Sequence, residues 1–267
     1  MSVNATATVH ATAVVEPGCT IGPGCIVGPY CVLGPDVVLA DNVELKSHVA
    51  VAGITRIGAG TVVYPFASLG HAPQDLKYRG ERTELVIGAN NRIREYVTMN
   101  PGTEGGGGIT KVGDDCLFMG SVHVGHDCHV GNNVIIANSV ALAGHVIVED
   151  NVVIGGLSGV QQFCRIGRGA MIGGMSGIVG DVIPYGTTTG ERAHLAGLNF
   201  IGLKRRNTDR GEMNELRTAF GSEVFEGEGP FAERVERALA AHPENPFLQE
   251  ISAFVTAEGA KRFTVPE

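Results

Sequence analysis

His126 and Asp127 are adjacent in the chain, and both carry side chains suited to proton transfer. Eighteen residues after His126 comes Gly144, and a further eighteen residues on comes Gln162. If eighteen residues form one coil of a repeating fold, these positions stack about 4.8 Å apart, with Asp127 beside His145. The ordinary pKa of a histidine, about 6.5, suits a general base, and a glycine leaves its backbone N–H unobstructed. A base and an oxyanion donor within reach of one ligand are the groups that acyl transfer requires.

A six-residue period of apolar residues supplies the elements that must position these side chains. Aliphatic or aromatic residues occupy every sixth position in two long runs, from Val9 to Leu69 and from Val112 to Ile178. A small or β-branched residue follows four positions after nearly all of them. This period fits neither an α-helix nor a hairpin sheet, whereas short strands stacked coil on coil satisfy it. The sequence therefore predicts a mainly β protein, a hexapeptide-repeat solenoid with three hexads per coil.

The repeat ends near residue 185, and helical periodicity follows it. Asp209 is a plausible N-terminal cap for the first of three amphipathic stretches. We therefore predict a solenoid over residues 1–185 and a small C-terminal α-helical domain over residues 186–267.

Two interruptions of the repeat, at 70–86 and 100–111, are predicted to emerge as loops. The first is polar and long enough to reach a neighbouring chain, so it fits a solvated loop and a ligand clamp equally well. The second contains the glycine run Gly105 to Gly108. No Gly-Lys-Ser/Thr follows that run, and no helix opens there, so we expect a flexible turn rather than a phosphate-binding loop.

Composition narrows the function classes. The net charge of −8 argues against a general nucleic-acid binder, because phosphate neutralisation needs a basic face. No long apolar stretch and no signal-peptide pattern are present, so we expect no membrane span and a cytoplasmic protein. The six cysteines all occupy the small inward position of the hexad, which predicts buried thiols rather than disulfides or a metal site: Cys19, Cys25, Cys31, Cys116, Cys128 and Cys164.

Three short motifs give the chain a specific resemblance to a known enzyme family. They are Gln74-Asp-Leu-Lys-Tyr78, Gly125-His-Asp-Cys128 and Gly202-Leu-Lys-Arg-Arg206, within a similarity that runs over nearly the whole chain. The chain resembles the UDP-N-acetylglucosamine O-acyltransferases, which begin lipid A and hence lipopolysaccharide biosynthesis. This resemblance implies a left-handed parallel β-helix and a homotrimer with active sites between subunits. It also implies transfer of an R-3-hydroxyacyl group from acyl carrier protein to the 3-hydroxyl of UDP-N-acetylglucosamine, with no cofactor and no metal.

The resemblance also assigns roles to individual residues. It makes His126 the general base, Asp127 the residue that orients it, and the Gly144 N–H the oxyanion donor. Further matching positions surround the sugar, the pantetheine arm, the nucleotide phosphates and the carrier: Gln74, Asp75, Lys77, His123, His145, Gln162, Asn199, Arg205 and Arg206. For the two arginines, a solvated helix end is an equally good interpretation of the sequence.

The length of the acyl chain depends on a second column of residues. Gly174 matches the position that sets acyl length in the family, and Gly156 lies one coil below it. Two stacked glycines predict an open groove and a long acyl chain. Met171 or Met175 could close that groove, and a turn requirement would explain both glycines equally well.

Four positions depart from the family pattern. Asn100, Gln161, Arg192 and Ile201 stand where the best-known members carry His, His, His and Glu. N-acylation of a UDP 3-amino sugar therefore stays open as an alternative reaction. A more remote alternative is a trimeric zinc carbonic anhydrase, which would use a set of three from the four clustered histidines: His123, His126, His129 and His145.

Overall fold

The computed structural model describes residues 2–206, 208–257 and 262–267. In that part of the chain, short strands form three sheets, the faces of a three-sided prism, and the chain visits each sheet in turn. The first sheet contains Ser2–Val3, Thr20–Ile21, Val38–Leu39, Ile54–Ile57, Glu84–Ile87, Ile109–Val112, His129–Val130, Ile147–Val148 and Arg165–Ile166. The second contains Thr8–Val9, Ile26–Val27, Glu44–Leu45, Val62–Val63, Arg92–Ile93, Leu117–Phe118, Ile135–Ile136, Val153–Ile154, Met171–Ile172, Gly186–Thr189 and His194–Leu198. The third contains Val14–Val15, Val32–Leu33, Ala50–Val51, Ser68–Leu69, Thr98–Met99, His123–Val124, Ala141–Leu142, Gly159–Val160 and Gly177–Ile178. The predicted β-helix is confirmed.

The strands pair in parallel with the register that the hexads predict. In the third sheet His123 pairs with Ala141, and Ala141 pairs with Gly159. The second residue of nearly every two-residue strand points into the prism, where stacked aliphatic side chains form one continuous core. The six cysteines are free and buried in that core, as predicted. Their thiols can satisfy backbone carbonyls of the next coil, as Cys31 Sγ does when it donates to Lys46 O at 2.8 Å.

Bulky residues occupy left-handed backbone positions at the corner between the second and third sheets. Tyr30, His48, Phe66 and Tyr96 have φ of 59°, 59°, 66° and 61°. Their rings stack with centroid separations of 5.0, 5.1 and 5.1 Å, and the three rings of Tyr30, Phe66 and Tyr96 are exposed. Such residues rarely adopt positive φ, so the corner geometry of the coil overrides their local preference.

The two ends of the prism differ. At the N-terminal end, Ser2–Val3 pairs with Thr20–Ile21 on one side and has an open edge on the other. The side chains there are exposed, at 39% for Val3 and 55% for Val14. At the other end, Gly186–Thr189 pairs with Met171–Ile172, and the antiparallel strand His194–Leu198 covers it.

A helical segment follows the last strand. It contains helices α1 (Phe200–Arg205), α2 (Arg210–Ala219), α3 (Phe231–Ala241) and α4 (Pro246–Thr256), with a π-helical turn at Phe220–Phe225. Asp209 caps α2 as predicted, because its side chain accepts hydrogen bonds from Gly211 N and Glu212 N. The buried faces of these helices form a second apolar core, whose first residue in the chain is Ile183. None of the helices in the described ranges is long and apolar enough to cross a membrane.

Candidate active site

His126 and Asp127 lie at the corner between the third and first sheets. His126 follows the strand His123–Val124, and its Nδ1 is 2.7 Å from Asp127 Oδ2. The His126 side chain is 12% exposed, whereas the Asp127 side chain is fully buried. Because Nδ1 is held by the carboxylate, Nε2 is the ring nitrogen left to exchange a proton with a ligand.

Gly144 lies directly over this imidazole. A Cβ built at this position would be 2.5 Å from His126 Cε1 and 2.6 Å from Nε2, so a side chain and the ring could not both fit. Within the described part of the chain, the backbone N–H of Gly144 has no hydrogen-bond acceptor. The predicted stacking of the His126 ring and an unobstructed N–H is therefore present.

The Asp127 carboxylate is held by a threonine that the sequence did not single out. Thr103 donates twice, from its N–H to Oδ1 at 2.8 Å and from its hydroxyl to Oδ2 at 2.7 Å. Gly106 packs so closely that a Cβ there would lie 2.0 Å from Asp127 Cγ. Within the glycine run that predicted a flexible turn, Gly106 thus lies directly against the carboxylate. The one sequence feature that could have indicated this contact is the glycine itself, because a glycine lets the backbone approach another group closely.

Two further rings continue the column, as the eighteen-residue spacing predicts. His145 Nε2 lies 3.9 Å from Asp127 Oδ2, and the His145 ring meets the His126 ring edge-on, with centroids 5.0 Å apart. Phe163 then stacks on His145 at 4.4 Å. Burial lowers the pKa of His145 more than the nearby Asp127 carboxylate raises it. The neutral form of His145 is therefore favoured.

His123 lies on the third sheet beside this corner. Its Nδ1 is 2.7 Å from the hydroxyl of Thr98, a partner that the sequence reasoning missed. Burial lowers the pKa of His123, and the nearby His126 acts in the same direction. The neutral form of His123 is therefore favoured.

The His126 side chain opens onto a groove along the third sheet, which we call the third-sheet groove. Its volume is about 530 Å³. Small residues stacked above His123 form its floor, namely Ala141, Gly159 and Gly177. Four other predicted residues also line it: Gln74, His126, Gly144 and Gln162.

Other predicted residues lie in a second pocket on the opposite side of the His126 corner. This pocket, which we call the loop pocket, has a volume of about 380 Å³ and contains Asp75, Lys77 and His145. Both loops contribute to it, because Thr103 also lines it.

The remaining predicted nucleotide residues lie apart from His126, on the side of the second sheet. Asn199, Arg205 and Arg206 line a pocket of about 420 Å³, the basic pocket, which also includes Met171. The Asn199 side chain caps α1 by accepting from Gly202 N at 2.9 Å, and it donates to Gly169 O at 3.0 Å. Arg206 donates to Asn151 O at 3.1 Å.

The acyl-length residues are not among those that line these pockets, apart from Met171. Gly174 and Met175 lie at the corner between the second and third sheets, where Met175 is 69% exposed. A Cβ on Gly174 would lie 3.3 Å from Gly156 O, so the two glycines do stack.

The four departures from the family pattern lie in different surroundings. Asn100 and Gln161 line the third-sheet groove with the base, and Asn100 Nδ2 donates to His71 O at 3.1 Å. Arg192 lies in a small pocket of about 220 Å³ near the C-terminus. Ile201 is 69% exposed and lines the basic pocket.

The donor set does not match the zinc-lyase alternative. Among the described residues, the one group of three or more candidate metal ligands is His126, Asp127 and His145, whose ligand atoms lie within 4.8 Å of one another. Within one described chain, this group holds two of the four clustered histidines, His126 and His145, and not three. Asp127 is already engaged by His126 and Thr103.

The coiled strands and the histidine at their corner define a hexapeptide-repeat transferase. A family model described as bacterial transferase hexapeptide matches residues 2–35, 18–53 and 109–144. A second model, described as the second domain of UDP-N-acetylglucosamine O-acyltransferase, matches residues 181–263. The chain belongs to the UDP-N-acetylglucosamine O-acyltransferase family.

Individual relatives support that membership. An acyl-[acyl-carrier-protein]–UDP-N-acetylglucosamine O-acyltransferase from Paracoccus denitrificans is 54% identical over 205 residues, 77% of each chain. One from Rickettsia felis is 48% identical over 82% of each chain. A solved UDP-N-acetylglucosamine acyltransferase from Campylobacter jejuni is 34% identical, with a TM-score of 0.90 over 97% of this chain and 100% of that one.

Proposed function

We propose that this protein transfers an R-3-hydroxyacyl group from acyl carrier protein to the 3-hydroxyl of UDP-N-acetylglucosamine, the first step of lipid A biosynthesis. The observation that carries this proposal is the His126–Asp127 pair at the mouth of the third-sheet groove, with the Gly144 N–H beside it. The names of the relatives supply the donor and the acceptor.

In the proposed reaction, His126 Nε2 takes the proton of the sugar hydroxyl as its oxygen attacks the thioester carbonyl carbon. The buried Asp127 carboxylate stabilises the resulting imidazolium. The carbonyl oxygen becomes an oxyanion, which accepts a hydrogen bond from Gly144 N–H. Collapse of the tetrahedral intermediate breaks the carbon–sulfur bond, and the pantetheine thiolate takes the proton from the imidazolium. These steps need no acyl-enzyme, no cofactor and no metal.

We assign the acyl chain to the third-sheet groove. Its floor carries no side chain larger than that of Ala141 between His123 and Gly177, so methylenes can lie along it. The sugar and pantetheine arm are placed around Gln74, Gln162 and the loop pocket.

We infer that the active enzyme is a homotrimer. The third-sheet groove and the basic pocket lie on different faces of one chain. A nucleotide sugar that contacts both residues would bind between His126 of one copy and Arg206 of another. Sedimentation analysis tests this, since a monomer that remains fully active at assay concentrations contradicts it.

Free buried cysteines also support a reducing compartment, so we place the reaction in the cytoplasm.

The decisive assay is incubation with acyl carrier protein carrying acyl chains of different length, together with UDP-N-acetylglucosamine or its 3-amino analogue. Mass detection of the product identifies the reaction, the donor and the acceptor together. A product formed with the 3-amino analogue alone would replace O-acylation by N-acylation. No acylated sugar nucleotide with either acceptor would refute the proposed function.

A further inference from the structure

We propose that Thr103 is a positioning residue of this enzyme, which fixes the Asp127 carboxylate so that His126 presents Nε2 to the groove. The inference rests on the proposed function, because it takes His126 as the base.

The contacts of Thr103 are specific to the carboxylate. Its N–H donates to Oδ1 at 2.8 Å, and its hydroxyl donates to Oδ2 at 2.7 Å, the same oxygen that His126 Nδ1 contacts at 2.7 Å. Thr103 is 5% exposed, so water does not compete for these bonds. The two donors of one residue thus set both the plane and the position of the carboxylate.

The strand that follows this loop, Ile109–Val112, holds the backbone of Asp127. Asp127 has a φ of 59°, and its N–H donates to the hydroxyl of Thr110 at 2.8 Å. Asp127 is therefore held at its side chain by Thr103 and at its backbone N–H by Thr110.

The loop closes on itself over the carboxylate. Thr103 O accepts from Gly106 N at 3.0 Å and from Gly108 N at 2.8 Å. A Cβ on Gly106 would lie 2.0 Å from Asp127 Cγ and would clash with it, whereas a Cβ on Gly105 would meet nothing within 4 Å. One specific glycine, rather than the run as a whole, allows Thr103 to reach the aspartate.

The hydroxyl of Thr103 also controls how strongly Asp127 attracts a proton on His126. Two donors share Oδ2, and loss of one leaves the carboxylate a stronger partner for the protonated imidazole. The other titratable or charged groups around the pair are His123 and His145, with Asp75 and Lys77 acting on His145 and with Glu81 and Glu104 in the loop pocket beside it. These groups are unchanged in a Thr103 variant.

The test compares Thr103→Val, which removes the hydroxyl and keeps the branched shape, with Thr103→Ser, which keeps the hydroxyl. We expect kcat/KM to fall about 10- to 100-fold for Thr103→Val, the range for a charge-assisted hydrogen bond, and to recover for Thr103→Ser. The acid limb of the pH–rate profile should move to higher pH for Thr103→Val alone. The matched control is Thr61→Val, which removes a buried hydroxyl that donates to Gly88 O at 3.0 Å, far from the site in the fold.

A second pair keeps the test decisive if Thr103→Val destabilises the protein. Gly106→Ala should reduce kcat/KM, whereas Gly221→Ala, in the π-helical turn Phe220–Phe225, should leave it unchanged because a Cβ there would meet nothing within 4 Å. Wild-type rate and pH profile for Thr103→Val, or no rescue by Thr103→Ser, would overturn the positioning role. Absence of any acylated sugar nucleotide with the wild-type enzyme would instead refute the proposed function, so the two failures are distinguishable.

Discussion

Replacing Gly144 by alanine adds one methyl group directly over the proposed base. The new Cβ would lie 2.5 Å from His126 Cε1 and 2.6 Å from Nε2. Ordinary contacts between such atoms are about 3.5–4.0 Å, so the ring has to move by about 1 Å. The ring cannot move freely, because Nδ1 is bonded to a carboxylate that Thr103 holds.

A displacement of about 1 Å in a catalytic group can lower the rate about 100-fold, or about 2.7 kcal/mol of transition-state stabilisation. We therefore expect kcat/KM of Gly144→Ala to fall by at least this factor, with a native circular dichroism spectrum and an unchanged oligomer. The assay is transfer from acyl carrier protein to UDP-N-acetylglucosamine, measured by mass detection.

The matched control is Gly221→Ala, in the π-helical turn that follows α2. A Cβ there would meet nothing within 4 Å, so activity should be unchanged and the thermal midpoint equal or slightly higher. Activity of folded Gly144→Ala within twofold of wild type would show that the imidazole has room to move, and the placement of Nε2 would have to be abandoned.

Four further outcomes are expected. His126→Ala should lower turnover by about 10²–10⁴-fold with little change in the thermal midpoint, and near-normal turnover would remove it from the mechanism. Gly174 lies three residues before Gly177, the end of the groove floor farthest from His123, so an acyl chain that extends past the floor reaches it. Gly174→Met should then shift preference from long to short acyl donors, since each methylene left unburied costs about 0.8 kcal/mol, and an unchanged ratio of efficiencies would make Gly174 a turn residue only. Burial lowers the pKa of His123 below its ordinary value near 6.5, so the unfolded chain binds this proton more readily than the folded chain. The contribution of His123 to stability therefore rises with pH towards 6.5 and falls on acidification. Between pH 7 and pH 5 the thermal midpoint of His123→Gln should fall less than that of the wild type, and equal falls would refute this. Burial raises the pKa of Cys128 to about 12, so thiol reagents at pH 8 should label the native protein very slowly and the unfolded protein at once.

The hexad pattern predicted most of the fold because one physical requirement repeats in every coil. Each coil must cover the apolar side of its neighbour, so inward and outward positions follow from the spacing alone. The same spacing correctly stacked Gly144 over His126 and His145 beside Asp127. It also extends to Phe163, which the sequence reasoning left out although it lies in the same register.

The parts that the sequence did not predict lie where the repeat is interrupted. Thr103 reaches Asp127 through a loop whose path depends on tertiary contacts, so no period fixes its position. Asn199 matched a nucleotide-binding position, yet its side chain also caps α1, a local role that the motif did not reveal. The sequence also did not show which predicted residues share a face of the prism. Only the pairing of the strands into three sheets shows that the basic pocket lies on a different face from His126.

The exposed first coil has a consequence for how the protein can be shortened. In a solenoid each coil gains its stability from its immediate neighbours, so disturbance at one end decays along the stack. The open edge at Ser2–Val3 should exchange its amide hydrogens first, and the covered end near Gly186–Thr189 last. Removal of a whole eighteen-residue coil from the N-terminal end would expose a new edge with the same register and leave the His126 corner intact. The length of the prism before the catalytic corner is therefore modular, and evolution or engineering can change it in whole-coil steps.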